Sequence, residues 1–178
     1  LLDSRAGRLA RFGYGDPVGA DRLAEHAGIT AAQLAEIAQV ADPDLALGSL
    51  VHLLDAAATA TALDDRHNAR TLHATLVADE AFRRRLFAVL GASVALGDHL
   101  ATHPADWAEL ADPEVDAVRP TGFGLRATLT AAVGGLTGAA AHEALRSTYR
   151  RLLLRLAARD LAGTIGFDDV AAELADLA

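Results

Sequence analysis

Leucines and alanines recur at three- and four-residue spacing along almost the whole chain of 178 residues. No segment keeps the two-residue alternation of apolar and polar positions that is typical of a half-buried strand. This pattern predicts an all-α fold, an antiparallel bundle of about ten helices. The bundle forms either one body or two lobes.

Residues typical of helix ends divide this pattern into separate helices. N-terminal caps are predicted where a hydroxyl or carboxylate side chain precedes an apolar-periodic run. These positions are Thr30 with Gln33, Asp42 with Pro43, Asp79, and Ser93. Glycines are predicted to end two helices, at Gly91 and, after a long helix over about 139–161, at Gly163.

The segment 111–124 holds two prolines and two glycines, and it is the strongest candidate for a loop between lobes. We therefore predict an N-terminal helical lobe over 1–110, a linker over 111–124 and a C-terminal helical lobe over 125–178. The last segment, 167–178, is amphipathic and carries no terminator, as expected if it leads into a further domain. An exposed apolar patch at Leu174 and Leu177 would favour that interpretation.

The formal net charge of −8 argues against binding to nucleic acid or to an anionic membrane, since both need a basic surface. No apolar run approaches the length that crosses a bilayer, and the charged residues near the start do not predict a signal peptide. Cysteine is absent, which excludes disulfides and favours a cytoplasmic location. The chain begins at Leu1 rather than at methionine, so it is predicted to be part of a longer protein.

His99 and His103 are four residues apart and can share one face of a helix. Two such histidines form half of a familiar zinc site, and Asp98 is adjacent. However, Leu100 takes the place of the glutamate that a metalloprotease helix would carry, and a proline ends the helix at once. A packed helix end is favoured over a metal site, which His73 and His142 would otherwise have to complete.

Two short motifs suggest nucleotide chemistry, and both have simpler explanations. Asp42 and Asp44 have the Asp-x-Asp form of a two-metal nucleotidyltransferase centre, but they open a helix and no strand pattern surrounds them. The run 122–127 has two glycines of a dinucleotide fingerprint, but it lacks the third glycine and a preceding strand. We predict a helix cap and a loop, respectively.

Two further stretches are candidates for partner contacts. Residues 19–37 are similar to a helix-turn-helix motif, but the second helix offers no basic residue, so an ordinary hairpin of two helices is favoured. The run Arg83, Arg84 and Arg85 could bind an anion. A solvated helix face is the favoured interpretation, with the apolar neighbours Phe82, Leu86 and Phe87 turned inward.

Arg151, Arg155 and Arg159 recur every four residues along one side of the long helix, and Asp160 stands beside the last. Such a stripe either faces solvent or provides a surface on which a following domain docks. In the second case Arg159 and Asp160 are expected to pair at the joint.

Two blocks of sequence together resemble the glutamine synthetase adenylyltransferase family, the bifunctional adenylyl-transferring and adenylyl-removing enzymes, in their actinobacterial form. The first block is Ala92-Ser93, Gly97-Asp98-His99-Leu100, His103-Pro104 and Trp107. The second is Arg150-Arg151 followed by Ala158-Arg159-Asp160-Leu161. The order and separation of the blocks also fit the family. The stretches that contain them, 90–107 and 149–163, cover about a quarter of the chain together with the similar run 168–178.

The resemblance implies an enzyme with two nucleotidyltransferase domains that use Mg²⁺ and ATP. One domain adenylylates glutamine synthetase and the other removes AMP by phosphorolysis, under the control of a PII-type signalling protein. This chain would be the N-terminal helical segment, a scaffold or partner-recognition part, and the metal-binding motif is expected beyond Ala178. No catalytic, cofactor-binding or metal residue is therefore assigned here.

The candidates for structural or interface roles are Asp98, His99, His103, Trp107, Arg151, Arg155, Arg159 and Asp160. Expected partners are glutamine synthetase, the PII-type protein and the enzyme's own downstream nucleotidyltransferase domain. A free-standing helical interaction module without enzymatic activity is the alternative.

Overall fold

The computed structural model describes residues 4–60, 63–115 and 119–178. In these residues the chain is helical and contains no strand, which confirms the predicted all-α class. Within the same ranges, no helix is both long enough and apolar enough to cross a membrane. The α-helices are α1 (Arg5–Arg11), α2 (Pro17–His26), α3 (Ala31–Ile37), α4 (Pro43–Thr59), α5 (Ala69–Ala78), α6 (Glu80–Ala92), α7 (Val94–Thr102), α8 (Ala108–Ala111), α9 (Gly122–Val133), α10 (Gly138–Leu161) and α11 (Phe167–Leu177). Short 3₁₀ helices span Pro104–Trp107 and Pro113–Val115.

The predicted N-terminal caps are confirmed. Thr30 Oγ1 accepts the backbone N–H of Gln33 at 3.2 Å, and the Gln33 side chain accepts the N–H of Thr30 at 2.9 Å, which completes a capping box. Asp42, Asp79 and Ser93 each accept a backbone N–H from the first turn of α4, α6 and α7. These bonds satisfy N–H groups that have no partner within the helix.

The chain forms two compact units, one running to Ala108 and the other from Glu109 to Ala178. In the first unit α4 is central, because its apolar residues face α2, α3, α5, α6 and α7. Leu47, Leu50 and Leu53 on α4 are fully buried. Burying such leucines stabilises the unit by about 1.5–3 kcal/mol each, before the cost of ordering the chain.

The second unit is built mainly from α9, α10 and α11. Leu125, Leu156 and Leu177, one from each helix, meet in its core. They are surrounded by partly buried apolar residues, Leu152, Leu153, Ile165 and Val170. Leu177 is therefore a core residue, and of the patch expected at the C-terminal helix only Leu174, 43% exposed, is at the surface.

Two predicted helix boundaries are wrong. Gly91 lies inside α6, which continues to Ala92, because the glycine is needed there for packing rather than for a left-handed turn. The helix α9 begins at Gly122, within the predicted loop, because Thr121 caps it by accepting the N–H of Gly124. Residues 116–118 of that predicted loop lie outside the described residues. Gly163 does follow the end of α10 with a φ of +71°, as predicted.

Candidate functional site

The histidine-rich stretch after α6 forms a packed joint between α7 and the 3₁₀ helix that follows it. His99 is buried on α7, and its Nε2 lies 2.8 Å from Oδ2 of Asp106 in the 3₁₀ helix. The ring of His103, at the C-terminal end of α7, stacks on His99 with centroids 4.7 Å apart. These contacts fix the sharp turn at which Pro104 ends the helix.

Trp107 ties the same joint to the rest of the first unit. The indole is 3% exposed, and its Nε1 donates to the carbonyl oxygen of His67 at 3.0 Å. Its ring meets Phe82 of α6 edge-on, with centroids 5.6 Å apart. The His67 ring also lies 2.5 Å from Asp64, and this hydrogen bond lowers the pKa of the exposed Asp64 carboxyl below its ordinary value.

Two glycines let the helices around the joint approach closely. A methyl group at Gly91 would lie 2.3 Å from Cγ2 of Val40, and one at Gly97 would lie 2.9 Å from Oγ of Ser49. Both distances are below contact for these atoms, so a larger residue would force neighbouring segments apart. The small residues of this stretch are therefore used for close packing.

The histidines are not joined by the other ligands that a metal site would need. Asp98 is exposed on α7, and His73 and His142 are exposed on α5 and α10. Within the described ranges, no group of three or more His, Asp or Glu side chains is arranged to hold a metal ion. What the geometry supports for His99 and His103 is a contribution to packing at the helix end.

The arginine stripe of α10 engages carboxylates within the second unit. Arg155 donates to Glu109 at 2.7 Å and approaches Asp112 at 3.4 Å, while Arg151 lies 3.8 Å from Glu109. Arg159 is buried and forms an ion pair with Glu173 of α11, which is buried as well. The expectation of a solvent-facing stripe is wrong for Arg159.

Asp160 does not pair with Arg159, contrary to the sequence-based expectation, because it is exposed on another side of α10. The three arginines instead line a cleft of about 370 Å³ together with residues of α9 and Glu173. Charges along this cleft are largely compensated by the ion pairs just described. The arrangement holds α10 against its neighbours within the second unit.

Asp42 and Asp44 both bind backbone N–H groups. Asp42 caps α4 through the N–H of Leu45 at 2.9 Å. Asp44 accepts the N–H of Gly15 at 2.6 Å and that of Asp16 at 3.3 Å, which joins α4 to the segment before α2. The prediction of a helix cap is confirmed for Asp42, and Asp44 has a long-range role that the sequence did not indicate.

Tyr14 lies beside this contact and is buried. Its hydroxyl donates to the carbonyl oxygen of Leu34 at 2.9 Å. Burial raises the pKa of Tyr14, and the negative charge of Asp44 raises it further. The tyrosine was not among the sequence candidates, since a lone aromatic residue near a turn gives no signal of a partner twenty residues away.

Two polar side chains of α3, in the hairpin of α2 and α3, bind other helices of the first unit. Gln33 is buried, and its Nε2 donates to the carbonyl oxygen of Leu76 at 3.2 Å. Glu36 accepts from Arg83 Nε at 2.6 Å, and this hydrogen bond raises the pKa of Arg83. These contacts hold α3 against α5 and α6 within the first unit.

The arginine run of α6 is not a uniformly solvated face. Of the three arginines, only Arg84 is exposed. Besides its bond to Glu36, Arg83 donates to the carbonyl oxygens of Leu76 and Val77 at the end of α5. Arg85 is 3% exposed. The burial of the apolar neighbours Phe82, Leu86 and Phe87 is confirmed.

The glycines of the 122–127 run begin a helix, so the prediction of a loop there is wrong.

The structure thus defines an all-α protein in which His99, Arg155 and Arg159 hold neighbouring helices together. Relatives come from several actinobacteria and carry the name bifunctional glutamine synthetase adenylyltransferase/adenylyl-removing enzyme. The Streptomyces avermitilis and Streptomyces coelicolor proteins are each 43% identical over 176 residues, which covers 96% of this chain and 16% of each relative. The Mycobacterium bovis protein is 36% identical over 188 residues, covering 100% of this chain and 17% of the relative.

The chain therefore matches a segment of the bifunctional glutamine synthetase adenylyltransferase family, and it spans about 16% of the length of these relatives. No family model matches the chain. No solved structure matches it either.

Proposed function

We propose that this chain is a helical scaffold and partner-recognition segment of an enzyme that adenylylates and deadenylylates glutamine synthetase. It holds neighbouring parts of that enzyme, its nucleotidyltransferase domain above all, in place. The observation that carries the proposal is identity of up to 43% across almost the whole chain to relatives with this name. Because the match extends over nearly every helix, the whole helical segment is shared and not a single motif within it.

The contacts within each unit support a structural role. His99, Asp106 and Trp107 fix a helix joint, and the ion pair of Arg159 with Glu173 lies inside the second unit. Side chains that are buried and bonded to neighbouring helices contribute to stability and geometry. Their chemistry is used within the fold, as expected of a scaffold.

The family resemblance implies Mg²⁺ and ATP for the enzyme as a whole. The one Asp-x-Asp motif of this chain, Asp42 and Asp44, does not fit a metal pair, since its carboxylates accept backbone N–H groups of Leu45, Gly15 and Asp16. No reaction step is assigned to these side chains. Adenylyl transfer and removal are assigned to other parts of the enzyme.

Glutamine synthetase is the partner that the names of the relatives indicate. A PII-type signalling protein is a second expected partner, from the family resemblance. The experiment is to immobilise the folded chain and measure binding of unmodified and adenylylated glutamine synthetase by biolayer interferometry. Saturable binding of at least one form is expected, and a chain unfolded by denaturant and then immobilised is the matched control. Absence of binding to both forms would overturn the recognition part of the proposal.

A further inference from the structure

The joint between α7 and the 3₁₀ helix Pro104–Trp107 holds two side chains that take up protons and that lie against each other. The rings of His99 and His103 are stacked, with centroids 4.7 Å apart and an angle of 27° between their planes. Nε2 of His99 lies 2.8 Å from Oδ2 of Asp106. All of these residues belong to the first unit. Since imidazole ordinarily changes its charge between about pH 5 and pH 8, the charge of this joint depends on pH.

In each ring one nitrogen is buried without a partner. An ionised carboxylate only accepts hydrogen bonds, so Nε2 of His99 donates to Asp106, and Nδ1 carries no proton in the neutral ring. Among the described residues, Nδ1 of His99 and Nδ1 of His103 are inaccessible and have no hydrogen-bond partner. An imidazolium has an N–H group on both nitrogens. Charging either ring in place therefore buries an N–H group that has no acceptor, which is unfavourable.

The histidine pair has one counter-charge. Among the ion pairs of the described residues, that of His99 with Asp106 is the one that involves either ring. Asp106 balances a first proton on the pair. A second proton would place two positive charges on rings whose centroids are 4.7 Å apart, and a like charge so near disfavours protonation. The joint as the structure shows it, here called closed, therefore accommodates at most one proton.

The helices packed against α7 provide no second ion pair for the rings among the described residues. These helices are α4 and α6, together with the 3₁₀ helix that carries Asp106. Asp44 of α4 binds the N–H of Gly15, Arg83 of α6 binds Glu36, and Arg85 of α6 is buried. The other charged or titratable side chains of α4, α6 and α7 are exposed, namely His52, Asp55, Glu80, Arg84 and Asp98.

We propose that the joint is a pH-sensitive switch, in which a second proton on the pair of His99 and His103 separates the rings and releases the 3₁₀ helix with Trp107. In the open joint both imidazoles reach water and charge independently. The open form then binds more protons than the closed form, so a falling pH favours the open form. The inference does not rest on the proposed function.

The size of the effect follows from the number of protons involved. Below about pH 6.5 an exposed imidazole is mostly charged. In that range, each proton bound only by the open form raises the ratio of open to closed joints by up to about tenfold per pH unit. The closed joint is therefore most favoured at neutral and higher pH, and it is lost on acidification.

The fluorescence of Trp107 reports on the joint directly, because it is the one tryptophan of the chain. In the closed joint the indole is 3% exposed and donates to the carbonyl oxygen of His67. The test is to record its emission spectrum, and its quenching by acrylamide, for the full chain from about pH 8 to about pH 5. As the pH falls, the emission maximum is expected to move reversibly to longer wavelength and quenching to increase. Circular dichroism is expected to show nearly unchanged helix content, since only the joint opens.

Two variants remove the second proton without removing the contacts of the joint. His103→Phe keeps an aromatic ring on His99, and it is expected to hold the emission at about pH 5 where the parent chain has it at about pH 8. His99→Gln keeps an N–H donor for Asp106 and is expected to have the same effect. His73→Gln on α5 is the matched control at an exposed position, and it is expected to leave the shift of the parent chain unchanged.

His67 lies beside the indole and is a separate possible source of pH dependence, since its ring contacts Asp64. His67→Gln is expected to keep the shift. Loss of the shift in this variant would overturn the proposal. So would persistence of the shift in both His103→Phe and His99→Gln, or an emission spectrum of the parent chain that does not change with pH. A shift accompanied by loss of the helical signal would also overturn it, because the whole chain and not the joint would then be opening.

Discussion

The buried ion pair between Arg159 and Glu173 gives the sharpest prediction about stability. Both side chains are almost inaccessible, with 3% and 2% exposure, and they join α10 to α11 within the second unit. Replacing one partner by an apolar residue leaves the other as an uncompensated buried charge. Glu173→Leu or Arg159→Met alone should therefore destabilise the protein by about 3–5 kcal/mol.

The double variant Arg159→Met/Glu173→Leu should be much less damaging. Glu173 already has one buried carboxylate oxygen without a hydrogen-bond partner, so its desolvation is incompletely offset. Arg159 has, besides Glu173, a 3.4 Å contact from its Nε to the carbonyl oxygen of Arg155. Apolar side chains of similar volume remove both charges at once, and the free energy of unfolding should lie within about 1 kcal/mol of the parent value or above it.

The assay is urea unfolding of the parent chain, both single variants and the double variant, followed by circular dichroism. Amide hydrogen exchange in α10 and α11 reports directly on the second unit. The same cycle on the exposed pair of Arg146 and Glu143 is the control and should give a coupling below about 1 kcal/mol. A cost below about 1 kcal/mol for each single variant at the buried pair, or a double variant as costly as their sum, would refute the reasoning.

Three other predictions concern the first unit. Gly91→Ala should lower the free energy of unfolding, measured in urea, by about 1–3 kcal/mol, because the added methyl group meets Val40. Val40→Ala in the same chain should recover part of this loss. An unchanged free energy of unfolding in Gly91→Ala would contradict the packing described. His99→Ala should lower the thermal midpoint by removing the bond to Asp106, and stoichiometric zinc in the parent chain by elemental analysis would contradict its structural role. Because the pKa of Tyr14 is raised above its ordinary value of 10.0, its stabilising contribution is complete below that pH and is lost as the pH rises further. Tyr14→Phe should flatten the alkaline fall in the denaturant midpoint, and an equally steep fall would contradict this.

Local features of the fold could be predicted because their causes lie within a few residues. A cap such as Asp42 acts on an N–H three residues away, and the Thr30 capping box is a reciprocal contact over the same short range. Helical periodicity likewise depends on nearest turns only. These parts of the structure follow from the sequence with little ambiguity.

The long-range polar contacts could not be predicted from the sequence. Asp44 binds Gly15, and Arg155 binds Glu109 46 residues away. No spacing rule identifies such partners, since they meet only after the helices pack. Whether an arginine such as Arg159 faces solvent or is buried with a carboxylate depends on that packing as well.

Glycine was ambiguous for a related physical reason. The absence of a side chain suits a helix end with positive φ, as at Gly163, and it equally suits close packing within a helix, as at Gly91. The two uses have the same sequence signal. The neighbouring chain, Val40 in the case of Gly91, decides between them.

We propose that this segment supports and recognises its partners while other parts of the enzyme carry out the reactions, and measuring ADP release tests this proposal. The purified chain is mixed with adenylylated glutamine synthetase, phosphate and Mg²⁺, with the Streptomyces avermitilis relative as the positive control. We predict ADP release by the relative and none by the chain. Release by the chain alone would contradict the proposed role, and Asp42 and Asp44 would be the first residues to replace.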